Sequence, residues 1–353
     1  MTTRKRGPQA VYNRPRNPDQ PQPEQPSAMR LIRGLHNLRA RERGCVATIG
    51  NFDGVHLGHR TVFQRLLQRG RELGLGATVI TFEPQPMEYF QPDAAPARLT
   101  RLREKLAAIG ADGIDRVMLL EFGPRLAAMP ADAFIDDLLV QGLGVRFLLV
   151  GDDFRFGRHR GGDFQLLQSA GAQHGFEVEN LHTITHGEAR ISSTRVREAL
   201  ARGELAQARH LLGRHYAMRG RVAHGDKRGR SIGFPTANLP LHRRVSPVSG
   251  VYAVAVRDLD GGRLPARRPA TWTGRWPDLW PAVANVGRRP TVDGQDVRLE
   301  VHLLDFDGDL YGAHLEVELR LRLRGEHRFE SFEALKAQIG RDAAAARNYL
   351  GAG

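Results

Sequence analysis

Two histidines three residues apart, His56 and His59, stand in TIGNFDGVHLGHR, where an apolar run gives way to glycines and then to a basic segment. A phosphate loop of the GxxxxGK[ST] type would place backbone N–H groups and a lysine at such a junction. The lysines here are Lys5, Lys105, Lys227 and Lys336, and none has that setting. At this spacing both imidazoles fall on one face of a helix start, where anions are favoured and N–H donors can meet a polyphosphate. Gly58 keeps the backbone clear between them. A zinc pair and a plain helix cap are the competing readings. Zinc would need further ligands, and Cys45 is the lone cysteine.

A second cluster lies in RISSTRVREAL, residues 190–200. Ser192, Ser193 and Thr194 stand at the head of an expected helix, flanked by Arg190 and Arg197. Alone, such hydroxyls are ordinary caps. Beside HxGH on the same sheet edge they read as a second wall of a nucleotide-phosphate site.

The third cluster is GRVAHGDKRGRSIGFPTANL, residues 220–239. Glycines alone would mean hairpin turns. In PTAN, however, Thr236 and Asn238 alternate along a strand and share a face. Two neutral oxygens suit a magnesium ion already carrying phosphate oxygens. Glu300, between Leu299 and Val301, reads from pattern alone as solvent-facing.

These residues need elements to carry them. From Cys45 onward, apolar strand-like runs (CVATIG, ATVITF, RVMLLEF, VRFLLVG) alternate with segments of helical period (RTVFQRLLQRGREL, TRLREKLAAIG, PADAFIDDLLVQGLG). Continuous β-rich runs imply buried parallel strands in a doubly wound α/β sheet, whose ligands bind beyond the strands' carboxyl ends. After SSTRVREALARGELAQARHLLGR the pattern becomes short alternating strands, predicting a small antiparallel β-barrel closed by the helix SFEALKAQIGRDAAAARNYL. The expected division is a disordered tail over 1–28, an α/β domain over 29–212 and a barrel domain over 213–353. Residues 258–280 hold all three tryptophans and read as an extended hairpin loop.

At 353 residues the chain exceeds one ordinary domain. No uninterrupted apolar run approaches the roughly 20 residues of a membrane helix. The first residues lack the apolar core of a secretory signal. A net charge of +13 suits either nucleic acid or polyphosphate substrates, and an ordinary solvated surface as well.

GNFDGVHLGH, TFEPQP, GDDFRFG and ISSTRVR together resemble the adenylyltransferase module of bacterial bifunctional riboflavin kinase/FAD synthetases, a nucleotidylyltransferase fold. FPTAN, ANVGRRPT, LEVHLLDF and DLYG are similar to their riboflavin kinase module. The resemblance spans roughly residues 29–350. It implies a cytoplasmic enzyme that makes FMN from riboflavin and ATP with Mg²⁺, then FAD and pyrophosphate from FMN and ATP. It calls on neither membrane nor nucleic acid.

By this resemblance His56 and His59 stabilise the leaving pyrophosphate. Asn51, Arg190, Ser193, Thr194 and Arg197 hold ATP, and Asp153 and Phe156 seat the flavin. In the second module Glu300 takes the proton from the ribityl hydroxyl. Thr236 and Asn238 hold Mg²⁺, Gly225, Lys227 and Gly233 hold phosphates, and Arg324 contacts flavin. Two departures stand out: Gln85 in TFEPQP, and Gly325 where an acidic residue would orient Arg324. Retention of only one activity, and a flavin- or RNA-binding regulator, are the alternatives.

Overall fold

The computed structural model describes residues 29–151, 153–181, 185–186, 189–224, 234–265, 279–291 and 294–351. The tail before residue 29, the loop with Gly225, Lys227 and Gly233, and most of the tryptophan-rich stretch lie outside them.

Six parallel strands form the first sheet: β1 (Arg30–Arg33), β2 (Cys45–Ile49), β3 (Gly76–Glu83), β4 (Arg116–Glu121), β5 (Val145–Gly151) and β6 (Glu177–Leu181). Their spatial order is β1-β4-β3-β2-β5-β6. The chain steps outward from β2 through β3 to β4, then crosses back to place β5 on the other side of β2. A crevice opens at that switch point, beyond the carboxyl ends of β2 and β5. The loops 50–56 and 151–157 leave the sheet there.

The connecting helices are α1 (Leu57–Leu73), α2 (Pro86–Phe90), α3 (Leu102–Ala111), α4 (Pro124–Ala127), α5 (Ala131–Ala133) and α6 (Phe164–His174). A π-wound turn, Phe134–Leu143, continues α5 where the sequence predicts a plain helix. The sheet is buried on both faces. Val46, Val79, Val117 and Phe147 pack on Phe63, Leu66 and Ile109 of α1 and α3. Cys45, Ala47, Ile80 and Met118 face Ile135, Leu138 and Leu167 on the other side. That two-sided burial is why these strands read as continuous apolar runs.

A short hairpin of β7 (Thr185–His186) and β8 (Ala189–Arg190) leads into α7 (Ser193–Arg202) and α8 (Leu205–Leu212). Gly203, at φ 78°, breaks the two helices in the left-handed conformation.

The second sheet is antiparallel: β9 (Ala217–Arg221), β10 (Ala237–Pro240), β11 (Gly250–Asp258), β12 (Trp280–Thr291), β13 (Gly294–Leu303) and β14 (His314–Arg324), in the order β10-β13-β12-β11-β14-β9. An Ala223–Asn238 bridge brings the two edges together, with the Ala223 N–H donating to the Asn238 carbonyl at 2.9 Å. The closing helix α9 (Phe332–Gly351) lays Ala343, Ala346 and Leu350 on Val251, Ala253 and Val283. Trp280 corrects one expectation. It is a buried β12 residue donating its indole N–H to the Leu304 carbonyl at 2.9 Å, not part of a loop.

Around Gly213, where a domain boundary is expected, the core is continuous. Val196, Ala199 and Leu200 of α7 and Ala208, Leu211 and Leu212 of α8 share one cluster with Met218, Leu239, Val254, Leu299 and Val317 of the barrel. A buried ion pair crosses the same junction. Arg243 meets Glu104 of α3 at 2.7 Å and donates to the Tyr216 hydroxyl at 2.8 Å and the Arg98 carbonyl at 3.0 Å. The Tyr216 hydroxyl in turn donates to the Leu99 carbonyl at 3.1 Å. Burial pushes that phenol up to about 12, so it stays a donor.

Removing one member of such a pair strands the other charge in a dry environment. Arg243→Leu is expected to lower stability by about 3 kcal/mol in urea unfolding, and an Arg243→Leu/Glu104→Met double variant by less.

Candidate active sites

The loop after β2 folds back on itself through Phe52 (φ 46°), Gly54 (φ 83°) and Val55 (φ 43°), all left-handed. For a β-branched valine this is an outlier that surrounding contacts must hold. Asp53 supplies many of those contacts. Its buried carboxylate accepts from the N–H groups of Leu99 (3.0 Å) and Thr100 (2.9 Å), from the Thr100 hydroxyl (3.1 Å) and from the Arg197 guanidinium (2.5 Å). Its carbonyl accepts from the Ser193 hydroxyl at 2.9 Å. The Gly54 N–H donates to Thr100 Oγ1 at 3.0 Å.

So folded, the loop delivers His56 as the N-cap of α1. His56 Nδ1 accepts from the His59 backbone N–H at 3.3 Å. The two imidazoles stack, centroids 3.6 Å apart and planes 18° from parallel. Phe52 meets the His59 ring edge-on at 5.1 Å. A Cβ on Gly58 would lie 3.1 Å from His56 Nδ1, so a larger residue would crowd the ring.

Both histidines are held neutral. Burial pushes His56 down to about 4; Asp53 opposes the shift, and Arg190, Arg214 and Arg197 add to it. Burial, His56, Lys105 and Arg214 push His59 well below its ordinary value. With Nδ1 accepting, the neutral His56 ring carries its proton on Nε2 as a donor. Nδ1 of His59 is buried without a protein partner.

A cavity of about 320 Å³ opens here, lined by Asn51, His56, His59, Asp153, Arg190 and Ser193 among others. The structure thus brings together residues from β2, β5 and the approach to α7. Arg190 lies 3.5 Å from Asp153. Ser192 caps α7, accepting from the Arg195 N–H at 3.3 Å. Thr194 is exposed on the first turn and does not line the cavity.

Arg197 and Phe156 are placed differently from the expectation. Arg197 is committed to Asp53 and to the Ala97 carbonyl at 2.6 Å, so it braces the loop. Phe156 is 6% exposed and packs on Phe134, while its neighbour Phe154 lines the cavity. Gln85 is buried with its amide nitrogen unpartnered. The sequence reading assigned no role to Tyr89, Phe90 and Phe122, an edge-to-face cluster beyond β3 and β4 in which Phe90 is 58% exposed. An exposed aromatic run after a strand was the available signal.

In the barrel, antiparallel register sets Asn238 opposite Glu300, and Glu300 opposite Asn285. Val251 and Arg324 continue the row across β11 and β14. Core side chains leave from the opposite face, so this row lies on the side where α9 packs. Asn285 carries no assigned role in the sequence reading, although ANVG lies on a strand of strict alternation. Thr236, two residues before Asn238, lines a separate cavity of about 180 Å³ with Asp307, Asp309 and Tyr311. Neither Asn238 nor Glu300 lines that cavity. The Asn238 amide nitrogen donates to the Thr236 carbonyl at 3.4 Å, which leaves its side-chain oxygen as an acceptor. Arg324 has a carboxylate after all: Asp342 of α9, buried, meets its guanidinium at 2.9 Å. Gly325 therefore leaves Arg324 paired from another element.

The FAD synthetase family model matches residues 38–195, and the riboflavin kinase family model matches residues 212–350. Over 324 residues the chain is 55% identical to the bifunctional riboflavin kinase/FMN adenylyltransferase of Escherichia coli strain K12, covering 92% of this chain and 98% of that protein. The chain belongs to the bifunctional riboflavin kinase/FMN adenylyltransferase family. The Pseudomonas fluorescens member is 52% identical over 320 residues, 90% of this chain and 97% of that one. A solved Streptococcus pneumoniae structure titled a macrolide-efflux protein matches with TM-score 0.73 and 29% identity, covering 91% of this chain and 99% of that one. That title speaks for that protein. Among the described residues here, no helix is long and apolar enough to cross a membrane. The residues between the two family matches, 196–211, hold most of α7 and α8, the helices that share the barrel core.

The histidines have a pH consequence. His56 drops from 6.5 to about 4 on folding, and so does the half-buried His215, through burial, Arg320 and Arg209. A depressed value means that the unfolded chain binds protons first. Stability from these groups is complete above pH 6.5 and lost as pH falls through 4. Melting temperature should decline across that window, and His56→Asn should make the decline shallower in a pH series.

Proposed function

We propose that His56 and His59 carry the adenylyl transfer of this chain, and that Glu300 carries its phosphoryl transfer. The protein phosphorylates riboflavin with ATP to FMN and adenylylates FMN with ATP to FAD and pyrophosphate. The observation that supports the first assignment is a stacked, neutral imidazole pair at the β2/β5 switch point.

In the adenylyl transfer, an FMN phosphate oxygen attacks the α-phosphorus of ATP. The bond to the bridging oxygen of the β-phosphate breaks, and pyrophosphate leaves. The nucleophile is already ionised near neutral pH, so no base is needed. Two N–H donors fit that chemistry: being neutral in the free site, they gain most as charge develops on the leaving group. Arg190 and Ser193 stand on the opposite wall, with Thr194 beside them, and Asn51 lies at the nucleotide end of the cavity. Phe154, beside Asp153 in the cavity lining, offers a stacking face to the flavin ring.

In the phosphoryl transfer, the ribityl hydroxyl oxygen attacks the γ-phosphorus and ADP leaves. An alcohol must lose its proton as the bond forms, and Glu300 is the carboxylate proposed to take it. Asn238 beside it and Thr236 present neutral oxygens. That donor set suits Mg²⁺ bound mainly through phosphates and water. When bound, Mg²⁺ neutralises charge on the transferring phosphates. Arg324, fixed by Asp342, borders the flavin end of the same row. Gly225, Lys227 and Gly233 are the residues proposed to hold the phosphates. ATP consumption in both steps supports a cytoplasmic location.

His59→Ala should lower FMN-to-FAD conversion by at least about 100-fold while riboflavin phosphorylation continues. Glu300→Gln should do the reverse. Chromatographic quantification of FMN and FAD from purified variants decides it, and parallel loss of both products in either variant would sink the assignment.

A further inference from the structure

Arg214 follows α8 and lies inside the riboflavin kinase match, yet its side chain reaches back into the other module. Its guanidinium donates to the Gly54 carbonyl at 2.6 Å and the Val55 carbonyl at 2.9 Å, with a longer bond to the Leu212 carbonyl at 3.4 Å. Gly54 and Val55 are two of the three left-handed residues in the loop that ends on His56. Asp53 and Thr100 hold the loop from one side through its carboxylate and N–H groups. Arg214 holds the next two carbonyls. A planar guanidinium takes two adjacent carbonyls in a fixed fork geometry that lysine's compact ammonium on its flexible stem does not reproduce.

The approach is tight as well as polar. Gly213 caps α8 at φ 71°, and a Cβ there would lie 2.6 Å from a methyl of Leu57, the first residue of α1. The start of the second module therefore rests on the start of the histidine helix. The part-buried guanidinium also acts on both rings electrostatically: burial first, then Arg190, Arg214 and Arg197, opposes protonation of His56 while Asp53 favours it, and burial, His56, Lys105 and Arg214 oppose protonation of His59.

We propose that Arg214 is a positioning residue for FMN adenylylation, supplied by the kinase module, which fixes the Gly54–Val55 turn so that His56 and His59 face the leaving pyrophosphate. This rests on the histidine roles proposed above. It makes the adenylyltransferase site a product of both modules, although all of its cavity-lining groups precede residue 194.

Two full-length variants test it, Arg214→Lys, which keeps the charge, and Arg214→Gln, which removes it. In both, kcat for FMN-to-FAD conversion should fall about 100-fold, the effect of an ångström-scale misplacement of catalytic groups. Riboflavin phosphorylation should stay within about twofold. Without the cation His56 and His59 protonate more readily, so the acid limb of residual adenylylation should move to higher pH in Arg214→Gln and stay in place in Arg214→Lys. Melting curves on the same samples report folding. Unchanged FAD formation in both variants overturns the proposal, as does a matched fall in both activities together with melting temperature, which marks a merely structural arginine. If His59→Ala itself keeps making FAD, the histidine assignment has failed instead, whatever the Arg214 variants do.

Discussion

The carboxylate of Asp53 is the interaction on which the remaining geometry depends. It is 3% exposed, and four donors from two other segments converge on it. Two of those donors are backbone N–H groups beside the start of α3, and one is an arginine from α7. A buried carboxylate is tolerated only when so satisfied, and once satisfied it locks every contributing segment in register with the others. The strained turn from Phe52 to Val55, the placement of His56 and the approach of α7 are therefore one construction. Losing the carboxylate would loosen all three at once.

With the roles proposed for His56, His59 and Glu300, the two halves use opposite strategies because their nucleophiles differ. A phosphate needs no deprotonation, and the parallel sheet supplies donors at a switch point. An alcohol does need it, and the antiparallel sheet places a carboxylate beside amide oxygens by register alone. In the first case the site residues come from loops bent by strain. In the second they sit on regular strands, so Asn238, Glu300 and Asn285 are aligned by hydrogen bonding of the ladder itself.

Much of this was legible in the amino-acid order. Four central strands of the first sheet, three of the helices that cover it, the barrel strands and the closing helix are plain from periodicity, because burial on one or two faces writes itself into the pattern. Edge strands β1 and β6 are not. RLIR is four residues long and EVENL carries three polar positions, so neither has an apolar run to betray it. His56 and His59 could be read from spacing, and Thr236 with Asn238 from alternation. The commitment of Arg197 to Asp53 could not, since the partners are 144 residues apart and nothing local couples them. The same holds for Asp342, which replaces across the fold the acidic neighbour that Gly325 denies to Arg324.

The shared core of α7, α8 and the barrel bears on the order in which the molecule can be made. The parallel sheet is complete once residue 181 has left the ribosome. However, the cluster in which α7 buries Val196, Ala199 and Leu200 is completed only when barrel strands as far as Leu319 have been synthesised. Ser193 and Arg197 ride on that helix. The segment encoded first thus completes its packing last, and a nascent chain carries this helix pair without its barrel partners for the time needed to translate more than a hundred further residues.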